Sequence, residues 1–408
     1  MLSRLLFPVC LIAGCIVASA SDWPQWRGPT RDGQAPDTSL PASLPDNLQR
    51  GWSIEVGEGH SSPIVLGQDV YIHSRVGGDE VVRRLKLADG TVEWEQKYPV
   101  VYEPVSAAGP HGKGPKSTPV LHDGKLFTFG ITGVLSAFNA SDGELLWRKD
   151  FKGDYGTLWP RFGAAMSPMV AKGRLLAHVG GDDDGALIAF NVEDGSILWR
   201  WTEDGAAYCS PVLLTVAGTE QVVSQSTEHI IGVDLSSGKT LWKIPFTTPY
   251  NQNIVTAIAF EDLLIFSGHR QRTFAVRMTN NDGEWSTEEV WTNSEVPMYM
   301  SSPVLVGGRV FGLTQMDKGN LFSLDPRSGQ VQWSGPGRQG DNAALIVAGD
   351  RVLTLTTEAE LIVTRIDAAR YEPVKIYDVS DSAVWAHPAL IGNQILVKDR
   401  SKLTVWSF

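Results

Sequence analysis

The side chains best placed for chemistry fall in three long loops between predicted strands. These loops, residues 98–116, 151–165 and 246–253, hold aromatic and basic residues, and long loops on a rigid scaffold usually carry function. The basic side chains cluster in the first two loops: His111, Lys113, Lys116 and Arg161. The chain has 35 basic and 46 acidic residues and a net charge of −11, so a locally basic cluster predicts a ligand with an anionic or carboxylate group.

A wider set of residues forms the predicted ligand- or partner-binding face. Its members lie in the three loops or directly ahead of predicted inner strands, and aromatic anchors with Arg are typical of protein interfaces. They are His60, Tyr102, His111, Lys113, Lys116, Tyr155, Trp159, Arg161, Tyr208, Tyr250, Asn253 and Trp385. Alternatively, the same residues form only a polar, water-filled opening at one end of the fold, without a specific ligand or partner.

No familiar catalytic or metal signature occurs. The chain has no Gly-x-Ser-x-Gly, His-Glu-x-x-His or Cys-x-x-Cys motif and no Gly-rich phosphate loop with Lys. The acidic run at residues 182–184 lacks the later bidentate Glu of a calcium loop, which favours a solvated connection. Cys209 has no evident neighbouring base, so we expect a buried, inert thiol. The acidic balance argues against a nucleic-acid partner.

The elements that must position these residues come from an internal repeat of about 45 residues. Five segments align without gaps on the pattern Asp/Asn-x-x-x-Gly-x-x-x-Trp, apart from a Lys at the first position of the first segment, and they are residues 86–94, 139–147, 191–199, 234–242 and 325–333. Asp or Asn opens a tight turn, Gly supplies its positive φ, and an alternating strand follows. A Ser/Thr-Pro-apolar unit lies upstream of each, at residues 62–65, 118–121, 167–170, 210–213 and 302–305. Proline is tolerated at the first residue of a strand.

Each period therefore predicts four short strands. Degenerate copies occur at residues 254–291, with an insertion at 280–283, and at 343–377, with Tyr in the Trp place. The last copy, from residue 387 to 408, lacks its fourth strand, and residues 48–55 can supply it. We therefore predict an all-β fold, an eight-bladed β-propeller of four-stranded blades, closed by an N-terminal strand that pairs with the C-terminal blade. Closure leaves only short, protected edges.

Two segments precede the predicted ring of residues 48–408. Residues 1–20 have one Arg, an apolar run and a small-x-small site, which predicts a secretory signal and an exported protein. The apolar stretch is too short for a transmembrane span. Cys15 ends a lipobox-like sequence, so acylation there is the alternative. Residues 21–47, rich in Pro and holding Trp23 and Trp26, predict an arm packed on the ring, with a structural strap favoured over a binding element.

The coupled repeat units resemble the pyrroloquinoline quinone (PQQ)-like propeller repeat over nearly all of residues 48–408. This class includes quinoprotein dehydrogenases and the non-catalytic eight-bladed assembly lipoprotein BamB. The dehydrogenase resemblance would imply PQQ on a Trp floor beneath a vicinal disulfide, with Ca²⁺ and a catalytic Asp. The chain has no Cys-Cys pair, and no such ligand set carries over residue by residue.

The resemblance leaves three functions open. We favour an exported, non-catalytic scaffold that binds a protein or peptide partner in the periplasm or cell envelope, as BamB does. The alternatives are a PQQ- and calcium-dependent dehydrogenase and a propeller that binds a small anionic ligand or a carbohydrate.

Overall fold

The computed structural model describes residues 22–36, 38 and 40–408. Within these residues, thirty-two strands form eight four-stranded antiparallel sheets, which are the blades of a propeller. The predicted all-β, eight-bladed fold is confirmed. The predicted signal segment, with the lipobox at Cys15, lies outside the described residues. The described part of the chain has no helix that is long and apolar enough to span a membrane.

The first strand of the chain, β1 (Gln49–Glu55), stands apart from the seven blades that follow in order. Blade one has β2 (Ile64–Leu66), β3 (Asp69–Val76), β4 (Asp79–Lys86) and β5 (Val92–Pro99). Blade two has β6 (Val120–His122), β7 (Lys125–Phe129), β8 (Leu135–Asn139) and β9 (Leu145–Lys149). Blade three has β10 (Met169–Ala171), β11 (Arg174–Gly180), β12 (Gly185–Asn191) and β13 (Ile197–Trp201). Blade four has β14 (Val212–Val216), β15 (Thr219–Gln225), β16 (His229–Asp234) and β17 (Thr240–Pro245).

The remaining blades repeat this order. Blade five has β18 (Ile258–Phe260), β19 (Leu263–Phe266), β20 (Thr273–Asn281) and β21 (Glu284–Asn293). Blade six has β22 (Val304–Val306), β23 (Arg309–Thr314), β24 (Asn320–Leu324) and β25 (Val331–Ser334). Blade seven has β26 (Ala343–Ala348), β27 (Arg351–Thr356), β28 (Glu360–Arg365) and β29 (Lys375–Asp378). Blade eight has β30 (Ala389–Ile391), β31 (Gln394–Lys398) and β32 (Lys402–Ser407). Three short 3₁₀ helices lie in loops: Ser106–His111, Pro249–Asn251 and Met316–Lys318.

The ring closes in blade eight, where β1 pairs antiparallel with β32. Ser53 lies opposite Thr404, and their hydroxyl oxygens are 2.8 Å apart. The first strand of the chain thus supplies the fourth strand of the last blade. The predicted closure is confirmed, and it removes the edge at which the ring could open.

The repeated Trp and Gly join each blade to the next. The indole N–H of Trp94 donates to the carbonyl of Ala140, 3.0 Å away in the following blade. The ring lies against Gly143, where an added Cβ would be 2.7 Å from the nearest ring atom. The same bond recurs in five other blades, to the carbonyls of Leu87, Val192, Leu235, Pro326 and Ala368. Glycine is therefore required both for its positive φ and for the close approach of the indole ring.

The repeated Ser/Thr-Pro unit forms a second set of contacts between blades, near the axis. The amide of Ser62 donates to the hydroxyl of Thr118, and the amide of Thr118 donates to the hydroxyl of Ser167, at 3.1 and 3.0 Å. The amide of Ser167 donates in turn to the hydroxyl of Ser210, at 2.9 Å. Neighbouring inner strands are thus hydrogen-bonded where they begin.

The arm of residues 22–47 crosses the axial channel. Trp23 is 1% exposed and bridges Val65 of β2 in blade one, whereas Gln34 bridges Val347 of β26 in blade seven. Between them, the carbonyl of Pro24 accepts from the amide of Leu121 in β6. Because this short segment contacts inner strands around the ring, it closes the channel.

Two buried arginines fix the arm. Arg31 donates to the carbonyls of Ser167, Pro168 and Pro211, at 3.0, 2.9 and 3.2 Å. Arg27 donates to the carbonyl of Pro303 in blade six. Burial is the main cause that lowers the pKa of Arg27 to about 10 and that of Arg31 to about 9. These hydrogen bonds replace the water that a buried guanidinium loses.

Candidate functional site

A cavity of about 500 Å³ lies on the propeller axis where the inner strands begin. The Ser/Thr residues of the repeat surround it: Ser62, Thr118, Ser167, Ser210 and Ser302. Trp26 of the arm lines it from the direction of the closed channel, so the cavity has a floor. Its volume is in the range of small-molecule sites in proteins.

Seven of the twelve residues predicted for the binding face line this cavity. They are His60, His111, Lys116, Arg161, Tyr208, Tyr250 and Trp385. The connections that enter the inner strands bring them together from different blades, because all these connections lie on one face of the ring. The structure therefore gathers most of the predicted set, and whether it binds a ligand stays a prediction.

The other five predicted residues lie outside the cavity lining. Tyr102 is 2% exposed and packs with its ring centroid 5.9 Å from that of Trp159. Tyr155 packs on Phe151. The side chain of Lys113 points to Glu103, with 2.5 Å between the charged atoms.

Asn253 has a structural role that its loop position did not reveal. Its side chain is buried, and its amide group donates to the carbonyls of Ser226, Thr227 and Phe246, at 2.6, 3.2 and 3.1 Å. These bonds hold the loop ahead of blade five against blade four.

The cationic side of the cavity is formed by Lys116, His60 and His111. The ammonium of Lys116 donates to the carbonyl of Phe162 at 2.7 Å, and burial lowers its pKa to about 8. Burial, together with the nearby charges of Lys398, His111 and Lys116, holds the pKa of His60 well below its usual value. Burial and the nearby Lys116 likewise lower the pKa of His111. Basic groups crowded in a partly dry site favour an anion among them.

Aromatic rings form much of the wall. The ring of Trp385 lies 4.6 Å from that of His111 and 5.8 Å from that of His60, between centroids. Phe162 and Tyr208 pack 6.0 Å apart, and the hydroxyl of Tyr208 accepts from the amide of Phe162 at 3.1 Å. These contacts order the wall before any ligand binds.

The mouth of the cavity carries a strained pair of residues. Tyr250 and Asn251 both have left-handed φ, of 60° and 56°, which costs energy for side chains other than Gly. Tyr250 is 64% exposed, and the guanidinium carbon of Arg161 lies 5.7 Å from its ring centroid. This aromatic–arginine pair is the most exposed part of the predicted face.

Sequence reasoning missed several lining residues. Trp26 was interpreted as part of a strap, although it also floors the cavity. The Ser/Thr hydroxyls were noted only as a strand-start pattern; their position one residue before the Pro of each inner strand was the available signal. Gln252, His269 and Tyr299 carry no repeat pattern that could have marked them, whereas His387 takes the Ser/Thr place before Pro388 in the last repeat copy.

The side chains that line the cavity do not form a suitable ligand set for Ca²⁺, or for the quinone chemistry that depends on Ca²⁺. No Asp or Glu lines the cavity among the described residues, and Ca²⁺ requires six to eight oxygen ligands, usually with carboxylates among them. Basic side chains line the cavity instead. The site therefore does not match a calcium-bound PQQ.

Two other candidate groups are structural. Asp204, Glu228 and His229 lie close enough to hold a metal, but both oxygens of Asp204 already accept hydrogen bonds, from Thr227, Ser226 and the Glu228 amide among others. Cys209 is buried, and burial raises its pKa to about 11, as expected for an inert thiol.

The acidic run is tied into the neighbouring loop. Asp184 accepts from the amide of Gly156 at 2.5 Å, and Asp182 accepts from the amide of Arg161 at 3.2 Å. Burial raises the pKa of Asp182 despite that bond. The run thus anchors the loop that presents Arg161 at the mouth.

Eight blades joined by Trp–Gly contacts around a floored axial cavity define a β-propeller of the PQQ-like class. The sequence profile of the family described as "Outer membrane protein assembly factor BamB" matches residues 78–335 and 298–408. The chain belongs to this family.

Curated relatives carry the same description. The chain is 28% identical to BamB of Shewanella oneidensis over 231 residues, which is 53% of this chain and 56% of the relative. It is 24% identical to BamB of Escherichia coli over 303 residues, 71% of this chain and 72% of the relative. The chain thus spans little more than half the length of the first of these relatives.

Solved structures share the fold. BamB from Moraxella catarrhalis superposes with a TM-score of 0.62 at 14% identity, covering 88% of this chain and 98% of that one. A europium-containing methanol dehydrogenase superposes with a TM-score of 0.68 at 12% identity, covering 95% and 98%. At these identities, the likeness shows the architecture alone.

Proposed function

We propose that this protein is an exported, non-catalytic scaffold that binds a protein or peptide partner in the bacterial cell envelope, in the manner of an outer-membrane assembly factor. Membership of the BamB family is the observation that carries the proposal. The described cavity also lacks the carboxylates that calcium-dependent quinone chemistry would need. A binding role accounts for both observations.

The loop-rich face is the surface we assign to the partner. Tyr250 and Arg161 form an exposed aromatic–cation pair there, on loops from different blades. Residues of these types dominate the binding energy of protein interfaces. The ring of Tyr250 already packs beside the Arg161 guanidinium, and such a contact reduces the ordering that opposes binding.

Crosslinking in the native envelope tests this surface. A chain with Arg161→Ala and Tyr250→Ala should lose most of the crosslinked partner that mass spectrometry identifies with the unchanged protein. Arg370→Ala is the matched control, because Arg370 is exposed in a turn on the opposite face. Equal recovery of the same partner by both variants would remove the loop-rich face from consideration.

The assembly role has a separate test. Deletion of the gene should lower the content of outer-membrane proteins, and the unchanged protein should restore it. Normal outer-membrane composition in the deletion strain would contradict this role, whatever partner is crosslinked.

We propose export through residues 1–20, with a mature protein that begins at Ser21. Acylation at Cys15 is the alternative, and it would place the protein on a membrane. Mass spectrometry of the N-terminal peptide from the envelope fraction distinguishes Ser21 from a lipidated Cys15.

A second candidate function is the binding of a small anionic ligand in the axial cavity. The basic lining supports it, through Lys116, His60 and His111. A carbohydrate is the other small ligand to consider, since Gln252, Asn342 and the Ser/Thr hydroxyls of the lining offer acceptors as well as donors. Incubation with PQQ and Ca²⁺, followed by an assay of alcohol or sugar oxidation, tests the dehydrogenase alternative; turnover would overturn the non-catalytic proposal.

A further inference from the structure

The turn between β19 and β20 of blade five differs in charge from the corresponding turns of the other blades. Its residues 267–272 read Ser-Gly-His-Arg-Gln-Arg, with no acidic residue, whereas the turn of blade three at residues 181–184 has three Asp. In an antiparallel blade the second strand returns to the face where the inner strand begins, so these turns lie on the loop-rich face. The fold does not require the basic residues, since the other blades make this turn with different ones.

An open groove lies between this turn and the corresponding turn of blade six. The groove encloses about 690 Å³, and residues 269–272 line it from blade five, whereas Gln315 and Met316 line it from blade six. Met316 is 47% exposed. The ring of His269 packs on that of Tyr299, with 4.1 Å between centroids, and Tyr299 lines the axial cavity but not the groove. The groove is therefore next to the axial cavity and distinct from it.

Arg270 and Arg272 supply the positive charge of the groove. Arg270 is exposed and forms no ion pair with a described residue. Arg272 pairs with Glu289, with 2.6 Å between the charged atoms, and both side chains are partly exposed. Burial lowers the pKa of His269, so this residue adds little charge at neutral pH. No described carboxylate lines the groove. On a protein with net charge −11, the groove is thus a local site for an acidic partner.

The backbone of this turn is held in place by hydrogen bonds. The amide of Gln271 donates to the carbonyl of Gly268 at 3.1 Å. The side chain of Gln271 donates to the carbonyl of Thr247 at 2.7 Å, which ties the turn to the loop ahead of blade five. A backbone that is already ordered reduces the loss of freedom that opposes binding.

We propose that this groove binds an acidic segment of the protein partner in an extended conformation. Alternate side chains of an extended segment point to opposite sides. Acidic side chains on one side pair with Arg270 and Arg272 of blade five, and apolar side chains on the other side contact Met316 of blade six. Arg and Met are both enriched in protein interfaces. This inference rests on the partner-binding proposal and assigns the partner's chemistry at a part of the loop-rich face beyond Tyr250 and Arg161.

Titration of the full chain with synthetic peptides tests the groove directly. The probe is the capped peptide Gly-Ser-Glu-Leu-Glu-Leu-Gly-Ser with an uncharged dye, and binding is followed by fluorescence anisotropy. Two comparison peptides carry Gln or Lys in place of both Glu residues. The Glu peptide should bind at least about tenfold more tightly than either of the others at low ionic strength. Added salt should reduce this difference, because it screens exposed charges.

Two arginines in equivalent turns provide matched variants. Arg270→Glu should weaken binding of the Glu peptide about tenfold or more and should strengthen binding of the Lys peptide. Arg400→Glu is the control, because Arg400 is exposed in the corresponding turn of blade eight, forms no ion pair with a described residue and lines neither the groove nor the axial cavity. It makes the same change in charge on the same face and should leave the affinity within about twofold. Both variants should keep the melting temperature of the unchanged protein.

Photo-crosslinking identifies the segment that occupies the groove in the native envelope. A photoreactive amino acid in place of the exposed Met316 should crosslink to a stretch of the partner in which acidic and apolar residues alternate. Mass spectrometry of the crosslinked peptide gives its sequence. A crosslinked stretch without acidic residues would contradict the proposal.

The outcomes separate this groove from the partner surface at Tyr250 and Arg161. A Glu peptide that binds no more tightly than the Gln peptide, or that binds Arg270→Glu as well as the unchanged protein, would overturn the groove inference alone. Binding to vesicles of phosphatidylcholine and phosphatidylglycerol that is lost in Arg270→Glu, without binding of the Glu peptide, would assign the arginines to a membrane and also overturn it. Retention of the partner by the Arg161→Ala, Tyr250→Ala chain would remove the proposed partner surface, and the peptide titration would still decide the groove.

Discussion

The indole N–H of Trp52 donates to the carbonyl of Leu87 across 2.7 Å, so the first strand of the chain fastens the last blade to the first one. Trp52 occupies in blade eight the place that Trp94 occupies in blade one. An added Cβ on Gly90 would lie 2.9 Å from its ring. The contact between blades therefore continues through the closure point.

Replacement of Gly143 by Ala tests the Trp–Gly contact. Gly143 has φ of +78°, and the new Cβ would lie 2.7 Å from Trp94. Gly124→Ala is the control, since Gly124 has φ of +71° and nothing within 4 Å of an added Cβ. Both variants meet the left-handed backbone cost, of about 1–2 kcal/mol, and Gly143→Ala should lose about 1–3 kcal/mol more from overpacking. Equal free energies of unfolding in urea for Gly143→Ala and Gly124→Ala would contradict a close contact between Gly143 and Trp94.

Replacement of Arg31 by Met tests the hold of the arm on the ring. The change leaves buried carbonyls of Ser167, Pro168 and Pro211 without their donor and should lower the free energy of unfolding by about 3 kcal/mol or more. Limited proteolysis should then cut within residues 22–47. The exposed Arg370→Met should change stability by less than about 0.5 kcal/mol. An uncut, equally stable Arg31→Met would show that the arm is held by other contacts.

The Lys116 ammonium should titrate near pH 8, because burial penalises its charged form. Reductive methylation with ¹³C and NMR over pH 6–11 follows each lysine, and Lys116→Arg identifies the resonance by its loss. An ordinary lysine titrates near 10.4. A Lys116 midpoint near that value would show that water reaches the ammonium freely.

Replacement of Glu80 by Gln tests a buried polar cluster. Burial alone would raise the pKa of Glu80, but the His73 imidazole 3.3 Å away and hydrogen bonds from the Tyr98 hydroxyl and the Ile131 amide hold it below its usual value. A depressed carboxyl pKa stabilises the fold above the unfolded value of about 4.3, and this contribution is lost as pH falls through the folded pKa.

At pH 7 the Glu80→Gln variant should therefore lose about 2–4 kcal/mol in urea unfolding, and the loss should shrink below pH 4.5. Glu93→Gln removes a partly exposed pair with Lys86 and should cost less than about 1 kcal/mol. A loss of equal size at both pH values would assign the effect to packing rather than to charge.

The ring was predictable because its signals are local. Gly143 and Trp147 of one repeat segment specify a turn and a strand within nine residues, and five copies of that spacing establish the period. Tyr377 shows the limit of the pattern: it takes the Trp place, but its hydroxyl donates to Pro45 of the arm. In six other blades the Trp donates a hydrogen bond to the turn between the third and fourth strands of the next blade. Blade eight has no such turn, because its fourth strand comes from the start of the chain.

The path of the arm was not predictable, because its partners are backbone atoms. Arg31 donates hydrogen bonds to the backbone carbonyls of residues 167, 168 and 211. Every residue has such a carbonyl, so the residue types do not indicate which of them an arginine contacts. The position of Trp26 beside the cavity was missed because it depends on this path of the arm. Tyr102 and Asn253 were assigned to the face because loop position alone does not reveal which side chains turn inward.

The pairing of β1 with β32 also sets the order of assembly. Residues 49–55 emerge early during synthesis, but their strand partner at 402–407 comes last. Until then the first strand has an open edge, and a chain whose decisive contact spans nearly its whole length is expected to fold slowly. Until residues 402–407 are available, a chain of this topology carries one unpaired strand near its start, and that edge is open to pairing with other chains.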